Sequence, residues 1–224
     1  MSDLPFIEID YTGRVDGVVF DTTLKVHALP GNKGPFEPAV LKLGSGQLIA
    51  GLDAFLTGKQ PGAYSVKLQP EEAFGRKQPQ LLKLVPLAAF GKDAQRIAPG
   101  FAVSIGDEKG RVQSVSGGRV VVDFNHPLAG QVVEYHVKLH GLVTDQAKKV
   151  RSVVRAMLGV DLPVEHREGK TLLSLPAGFP ADGLVKEIER HSGVIVTVVE
   201  VAVKPQASPA PAATTSSKSA SKKK

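Results

Sequence analysis

The sequence predicts an α+β protein, and three observations carry that expectation. Short stretches alternate apolar and polar residues with the period of a half-buried strand: Ile7, Ile9 and Tyr11 against Glu8, Asp10 and Thr12, and later Tyr64, Val66 and Leu68. A glycine-rich corner, Leu41 to Leu56 (LKLGSGQLIAGLDAFL), passes from strand-like Leu41 and Leu43 into a helical pattern. Residues 145–203 repeat the mixture as helix, hairpin, helix and strand. The expected architecture is a sheet laid on a short helix, then a small β domain, then a C-terminal α+β domain.

Taken in order, residues 6–24 read as a hairpin turning at Asp16-Gly17, a strong two-residue turn signal. Val18, Val19 and Phe20 return, and Asp21, Thr22 and Thr23 end the strand; an Asp there reads first as a turn or cap residue. The Pro/Gly stretch 27–38 is long for a connection and suits a rim or lid. In the corner, Leu48, Ile49, Leu52, Phe55 and Leu56 share one helical face, which Gly58 ends. A turn at Gln60-Pro61-Gly62, a strand to Leu68 and the segment QPEEAFG complete the first run.

From 76 to 124, Leu81 to Phe90 is mostly apolar, Pro99-Gly100 and Asp107 to Gly110 turn, and Phe101, Val103 and Ile105 alternate. Val112, Val115 and Val120 to Val122 continue as strands, giving a small β unit. Beyond 144, Val150, Val153, Val154, Met157 and Leu158 form a helical stripe, and a hairpin turns at Glu168-Gly169. Leu184, Val185 and Ile188 mark a second helix ending at Gly193, before the β-branched run Val194 to Val203. From Lys204 the chain is Pro, Ala, Ser, Thr and Lys. Such a composition buries too little to offset the entropy of ordering, so a disordered basic tail is expected. The segments read this way are 1–75, 76–124, 125–144, 145–203 and the tail 204–224.

Composition narrows the function classes. Without cysteine there is no disulfide, thiolate metal centre or cysteine nucleophile. No apolar run is long enough to cross a bilayer. The start, MSDLPFIEID, carries acids where an export signal needs basic residues and a long apolar core. A cytoplasmic protein with no membrane partner is expected. The net charge of +6 and pI near 9.5 suggest nucleic acid until the charge is located. Residues 204–224 hold five lysines and no acid, so the remainder is near +1. The basic pI describes a tail and not a duplex-binding face.

The order YTGRVDGVVFDTT, LGSGQLIAGLDAFL, a Pro-Gly turn and PEEAFG resembles the FKBP-type peptidyl-prolyl isomerases. After Gly75 about fifty residues intervene before NHPLAGQVVEYHVKLHGLV, at 125–143. That layout is similar to the SlyD-like branch, whose insertion is called the insert-in-flap domain. The resemblance covers roughly 5–143; the rest resembles long archaeal FKBPs in layout only. It implies an antiparallel FKBP sheet wrapped on the short helix, and one discontinuous domain of 1–75 with 125–144 around an inserted small β domain at 76–124. It also implies prolyl isomerase activity, no cofactor or metal, and proline-containing unfolded or nascent polypeptides as partners. The alternative function is a folding chaperone that binds proline-containing chain without useful turnover.

Prolyl isomerisation needs no acid, base or nucleophile. Its barrier of about 18–20 kcal/mol is amide resonance, and the twisted transition state is less charge-separated than the planar amide. An apolar bowl that displaces water while gripping the flanking peptide therefore favours the twisted form. Carried over by motif position, the resemblance implies a bowl of Tyr11, Phe20, Asp21, Leu41, Leu48, Ile49, Leu52, Phe74, Leu128 and Tyr135. Leu52 would be its floor, where many FKBPs have tryptophan and the SlyD-like branch has leucine. The Ile49 N–H would hold a substrate carbonyl, Asp21 would orient, and Phe20 and Tyr135 would enclose the ring. Phe74 stands where many members have tyrosine, and Ala39 where some place an aromatic. On this reading Leu52→Asp removes stability and turnover, whereas Asp53→Ala, expected on the outward face, removes neither.

Competing chemistries fare worse. His136 and His140 share a strand face, but four residues of strand span about 13 Å, too far for one zinc. The tail lacks the His and Cys of the metal-binding tails of SlyD-like proteins. No phosphate-binding loop or nucleophile-elbow motif appears. Leu82, Leu84, Val85, Leu87 and Phe90 are dense for a small insert. They form either its own core or, as in the SlyD-like insert, a groove for unfolded chain. The tail lysines with Lys148, Lys149, Arg151 and Arg155 offer a possible ribosome or RNA contact, against the plainer reading of a solvated charged face.

Overall fold

The computed structural model describes residues 4–28, 30, 36–179 and 181–201. The expected tail at 204–224, and much of the loop expected as a rim or lid, lie outside the described residues. The strands of the first sheet are β1 (Phe6–Val15), β2 (Val18–Thr22), β3 (Ala39–Lys42), β4 (Gly62–Leu68) and, after the insert, β9 (Val133–Leu142). Helix α1 (Ala50–Leu56) lies between β3 and β4.

β1 is the spine because both its edges are paired. One edge takes β9; the other is shared by β3, along Phe6 to Ile9, and β2, along Thr12 to Val15. β4 lines the far side of β9, and every pairing is antiparallel. The Asp16-Gly17 turn is left-handed at both residues, φ 49° and 79°, the conformation a two-residue hairpin needs. Between the two partners of β1, threonines close the gap. Thr23 Oγ1 accepts from the Tyr11 N–H at 2.9 Å, and the Thr12 and Thr22 hydroxyls bond at 2.8 Å. Ile7, Ile9, Val133, Val137 and Leu139 bury against Leu52 and Leu56 of α1, forming the first core.

The corner differs from its sequence reading in two respects. The helix begins at Ala50, so Leu48 and Ile49 belong to its lead-in. Ile49 holds φ −62° and ψ 143°, and its carbonyl accepts the Leu52 and Asp53 N–H groups, both at 3.0 Å. Asp53 is also not a free outward residue, because its carboxylate accepts the Gly44 N–H at 2.8 and 3.0 Å. Gly44 is left-handed (φ 68°), and that carboxylate ties the turn to the helix it feeds. Gly51 serves close approach instead. A Cβ there would sit 2.7 Å from the Glu72 carbonyl oxygen.

The insert forms a second sheet from β5 (Leu82–Pro86), β6 (Ala102–Ile105), β7 (Glu108–Ser116) and β8 (Arg119–Asp123), ordered β5-β8-β7-β6. The expected turn at Asp107 to Gly110 falls earlier, because left-handed Gly106 makes the corner and Glu108 already pairs with Ile105. Asn125 fastens the two connections to the body. Its side chain accepts from the Gln78 N–H (2.8 Å) and donates to the Gln78 carbonyl (3.1 Å) and to Asp123 (2.7 Å).

The C-terminal segment comprises α2 (Gln146–Leu158), β10 (Val164–Arg167), β11 (Lys170–Pro176), α3 (Ala181–Ser192) and β12 (Val196–Val201). Asp145 caps α2 by accepting the Lys148 N–H at 3.1 Å. Gly159, left-handed at φ 67°, ends the helix. β10 and β11 form a hairpin and β12 runs parallel to β11, with α3 as the crossover. Val150, Val153 and Val154 bury with Leu173, Leu175 and Ile188, and Phe6 and Val143 enter the same core. Met157, expected on that stripe, is 42% exposed. Among the described residues, no helix is long and apolar enough to cross a membrane.

Candidate active site

A concave pocket of about 520 Å³ opens over the first core. Leu48, Ile49 and Leu52 line it from the corner, Tyr11 from β1, Phe20 and Asp21 from β2, and Tyr135 from β9. Phe74 and Leu128 come from the segments that leave for the insert and return from it. Nine of the ten residues expected in the bowl therefore line one cavity. Leu41 does not; it lines an adjoining cleft beside α2, as does Ala39.

The aromatic wall is built by edge-to-face contact, the arrangement that ring quadrupoles favour. Phe20 meets Tyr135 at 5.9 Å and 86°, and Phe74 at 5.8 Å and 81°. This closeness depends on Gly13, buried beneath the wall. A Cβ there would lie 2.6 Å from Phe20 Cζ and 2.9 Å from Tyr135 Cε1. Leu52 forms the floor, with only 1% of its surface exposed. Ile49, extended ahead of α1, has an N–H that finds no acceptor among the described residues.

One charged group enters the bowl. Asp21 is exposed at the end of β2, and its carboxylate accepts the Tyr11 hydroxyl at 2.9 Å. Burial first, then the charge of Asp21, pushes the Tyr11 phenol far above its ordinary value. The same two causes push Tyr135 up to about 12. Both phenols are neutral hydrogen-bonding groups at any physiological pH.

Three lining residues are absent from the sequence-based set: Gln47, His126 and Pro127. The His126 ring stacks on Phe74 at 4.5 Å and 3°, and its Nδ1 accepts the Leu128 N–H at 3.2 Å. Gln47 and Pro127 each adjoin a residue already assigned, Leu48 and Leu128, whereas His126 had no such signal. Among the described residues, no group of three or more His, Asp or Glu side chains is placed to hold a metal.

The insert residues divide. Val85, Leu87 and Phe90 pack on the insert's core of Ile97, Val112, Val120 and Val122. Leu82 and Leu84, on alternate positions of edge strand β5, are 39% and 59% exposed. Of the basic residues considered for RNA, Lys148 pairs with Glu8 at 2.6 Å, and Arg155 with Glu37 at 3.3 Å and Asp161 at 3.6 Å. Arg151 lies 3.9 Å from Asp161.

An antiparallel sheet packed on one short helix carries an aromatic bowl at the helix's lead-in, the shape of a site for a small apolar group. Comparison with known proteins gives the particular family. The sequence matches the FKBP-type peptidyl-prolyl cis-trans isomerases over residues 2–90, and the "FKBP26, IF domain" family over residues 83–128. It is 34% identical over 109 residues to the FKBP-type 16 kDa peptidyl-prolyl cis-trans isomerase of Escherichia coli, covering 46% of this chain and 72% of that protein. To the SlyD isomerase of Haemophilus influenzae it is 32% identical over 138 residues, 59% of this chain and 67% of that one. A short-type isomerase of Methanocaldococcus jannaschii shares 26% over 139 residues, 60% of this chain and 88% of the relative. The chain belongs to the FKBP-type peptidyl-prolyl cis-trans isomerases, enzymes whose substrates are proline-containing polypeptides.

Proposed function

We propose that the bowl of Tyr11, Phe20, Asp21, Leu48, Ile49, Leu52, Phe74, Leu128 and Tyr135 accelerates isomerisation of X-Pro bonds in folding chains in the cytoplasm, and that the insert captures those chains. The observation that carries the reading is the convergence of these side chains on one apolar cavity with a single carboxylate at its edge. Phe20, Phe74 and Tyr135 surround the proline ring, and Leu52 supports it from beneath. The Ile49 N–H fixes a substrate carbonyl, so rotation is confined to the amide. Water that stabilises the planar, charge-separated amide is displaced, and the twisted form gains relative to it. Asp21 orients the Tyr11 hydroxyl and the substrate; no proton is transferred. An acceleration of about 10⁴ to 10⁶ needs only about 5–8 kcal/mol of such differential stabilisation.

The capture role rests on exposed Leu82 and Leu84 along edge strand β5, whose unpaired backbone can extend the sheet with a client strand. Domain limits of 1–75 with 125–144, 76–124 and 145–203 belong to the same proposal, and the three sheets are compatible with them; they serve to design deletions. NMR exchange on a short X-Pro peptide should show turnover in the parent and its near loss in Tyr135→Ala. Deleting 76–124 should spare that turnover and collapse catalysis of proline-limited protein refolding. Unchanged refolding catalysis after the deletion would refute the capture role. Contact with RNA or the ribosome would depend on the lysines of 204–224 and on Lys149, since Lys148, Arg151 and Arg155 already face carboxylates. Binding that ignored salt between about 50 and 200 mM would exclude it.

A further inference from the structure

The bowl does not end at its rim. Gln47 lines it on one side and, on the other, lines a second cleft of about 510 Å³ between β3 and α2. The apolar wall of this cleft is Ala39, Leu41, Ala156 and Met157. Ala156 and Met157 are exposed there, although the helical stripe alone would have buried Met157. Two contacts set the position of the wall. The Ser152 hydroxyl donates to the Val40 carbonyl at 2.6 Å, and Lys42 Nζ donates to the His191 carbonyl at 2.6 Å. The basic lining consists of Lys42 and Arg155, beside the His191 ring, with no carboxylate among the lining residues. Arg155 faces Glu37 and Asp161, yet a guanidinium has five N–H donors and retains capacity for a further acceptor.

We propose that this cleft is an extended subsite of the isomerase. It holds the client segment flanking the proline, in extended form, and selects an apolar side chain next to a carboxylate. The assignment rests on the reading of the bowl as the proline site, and two observations favour this occupant over others. First, the cleft and the bowl share Gln47 as a lining residue, and a chain advancing about 3.3–3.6 Å per residue crosses one side chain within a few residues. Second, the cleft's charge suits an acidic segment and opposes the protein's own stretch 204–224, whose charged residues are all lysines. The C-terminal α+β unit thus supplies one wall of the substrate groove and shapes which prolines are served.

The test compares three peptides sharing one X-Pro core: the core alone, the core extended on either flank by a Leu-Glu pair, and the same extension with Leu-Lys. Turnover is followed by NMR exchange. In the parent, the Leu-Glu extension on one flank should raise kcat/KM about tenfold through KM, the gain expected from one buried aliphatic side chain. Leu-Lys should raise it little. In Ala156→Arg, which fills the cleft from the α2 side, the ratio of extended to short peptide should fall to about 1. Met157→Lys, on the same exposed wall, is the second variant should the first fail to fold by circular dichroism. No gain from either flank, an equal gain in both variants, or Leu-Lys matching Leu-Glu overturns the proposal. So does a concentration-dependent dimer abolished by Ala156→Arg with peptide kinetics unchanged, since the cleft would then hold a second copy. Failure of the bowl itself reads out separately, as short-peptide turnover that survives Tyr135→Ala.

Discussion

Gly13 shows how a residue with no side chain can govern a site. The T-shaped contact of Phe20 with Tyr135 exists because nothing projects from Gly13 beneath it. Gly13→Ala should displace the Phe20 ring and lower kcat/KM by about tenfold or more, as misplacement near the reacting bond does elsewhere. The melting temperature should change less than the activity, since Phe20 is only half-buried; unchanged turnover would disprove this account of the wall. Tyr135 makes a prediction of opposite character. Its phenol is pushed up to about 12, whereas in the unfolded chain it ionises near 10. Between these values the unfolded state releases a proton that the folded state keeps, so stability falls as pH rises above about 10. The contribution is fully present below that pH. Tyr135→Phe should therefore lose less stability than the parent between about pH 10 and 12, measured by urea unfolding across that range.

At the scale of elements, α1 is short, and its position depends on three local devices. Asp53 ties it to the Gly44 turn, Ile49 starts its hydrogen bonding, and Gly51 lets the turn at Pro70 to Glu72 lie against it. Two effects compete in Gly51→Ala. Helix propensity favours alanine by about 1 kcal/mol, while overpacking costs about 1–3 kcal/mol. Overpacking should win, because the clash is with the Glu72 backbone carbonyl, which cannot rotate away as a side chain could. A lower urea midpoint with unchanged slope is expected; a higher midpoint would refute it. The helical period placed Leu52 and Leu56 on the buried face. It could not place Leu48 and Ile49, because two further residues on the same projection look identical whether the backbone is helical or extended.

Across the whole molecule, polar contacts fasten the three sheets to one another, and Asp123 sits at one of them. Burial acts to raise its pKa, but hydrogen bonds from Asn125 and the charge of Lys77 outweigh this and hold it below the usual carboxylate range. A carboxylate depressed by folding contributes stability above its unfolded value, near 3.9, and loses it as pH falls through the lower folded value. Asp123→Asn should speed amide exchange at Gln78 and Asn125 at neutral pH, and the difference from the parent should vanish well below about pH 3.9. A difference that persisted in acid would refute the role of the charge. The sequence by itself determined the α+β class, the hairpin at Asp16-Gly17, the corner with its buried Leu52, and nine of the pocket's twelve lining residues. The first three are local periodicities and turn signals; the nine lining residues followed from motif positions shared with the family. Only the tertiary structure decided that Leu41 turns to a neighbouring cleft and that Met157 stays exposed. It alone placed Gly13 under two rings and joined Gln47 and His126 to the site. The physical reason is that packing is set by which elements meet. Leu41 and Met157 lie more than a hundred positions apart, and no periodicity in one strand or one helix records that their surfaces face one cleft.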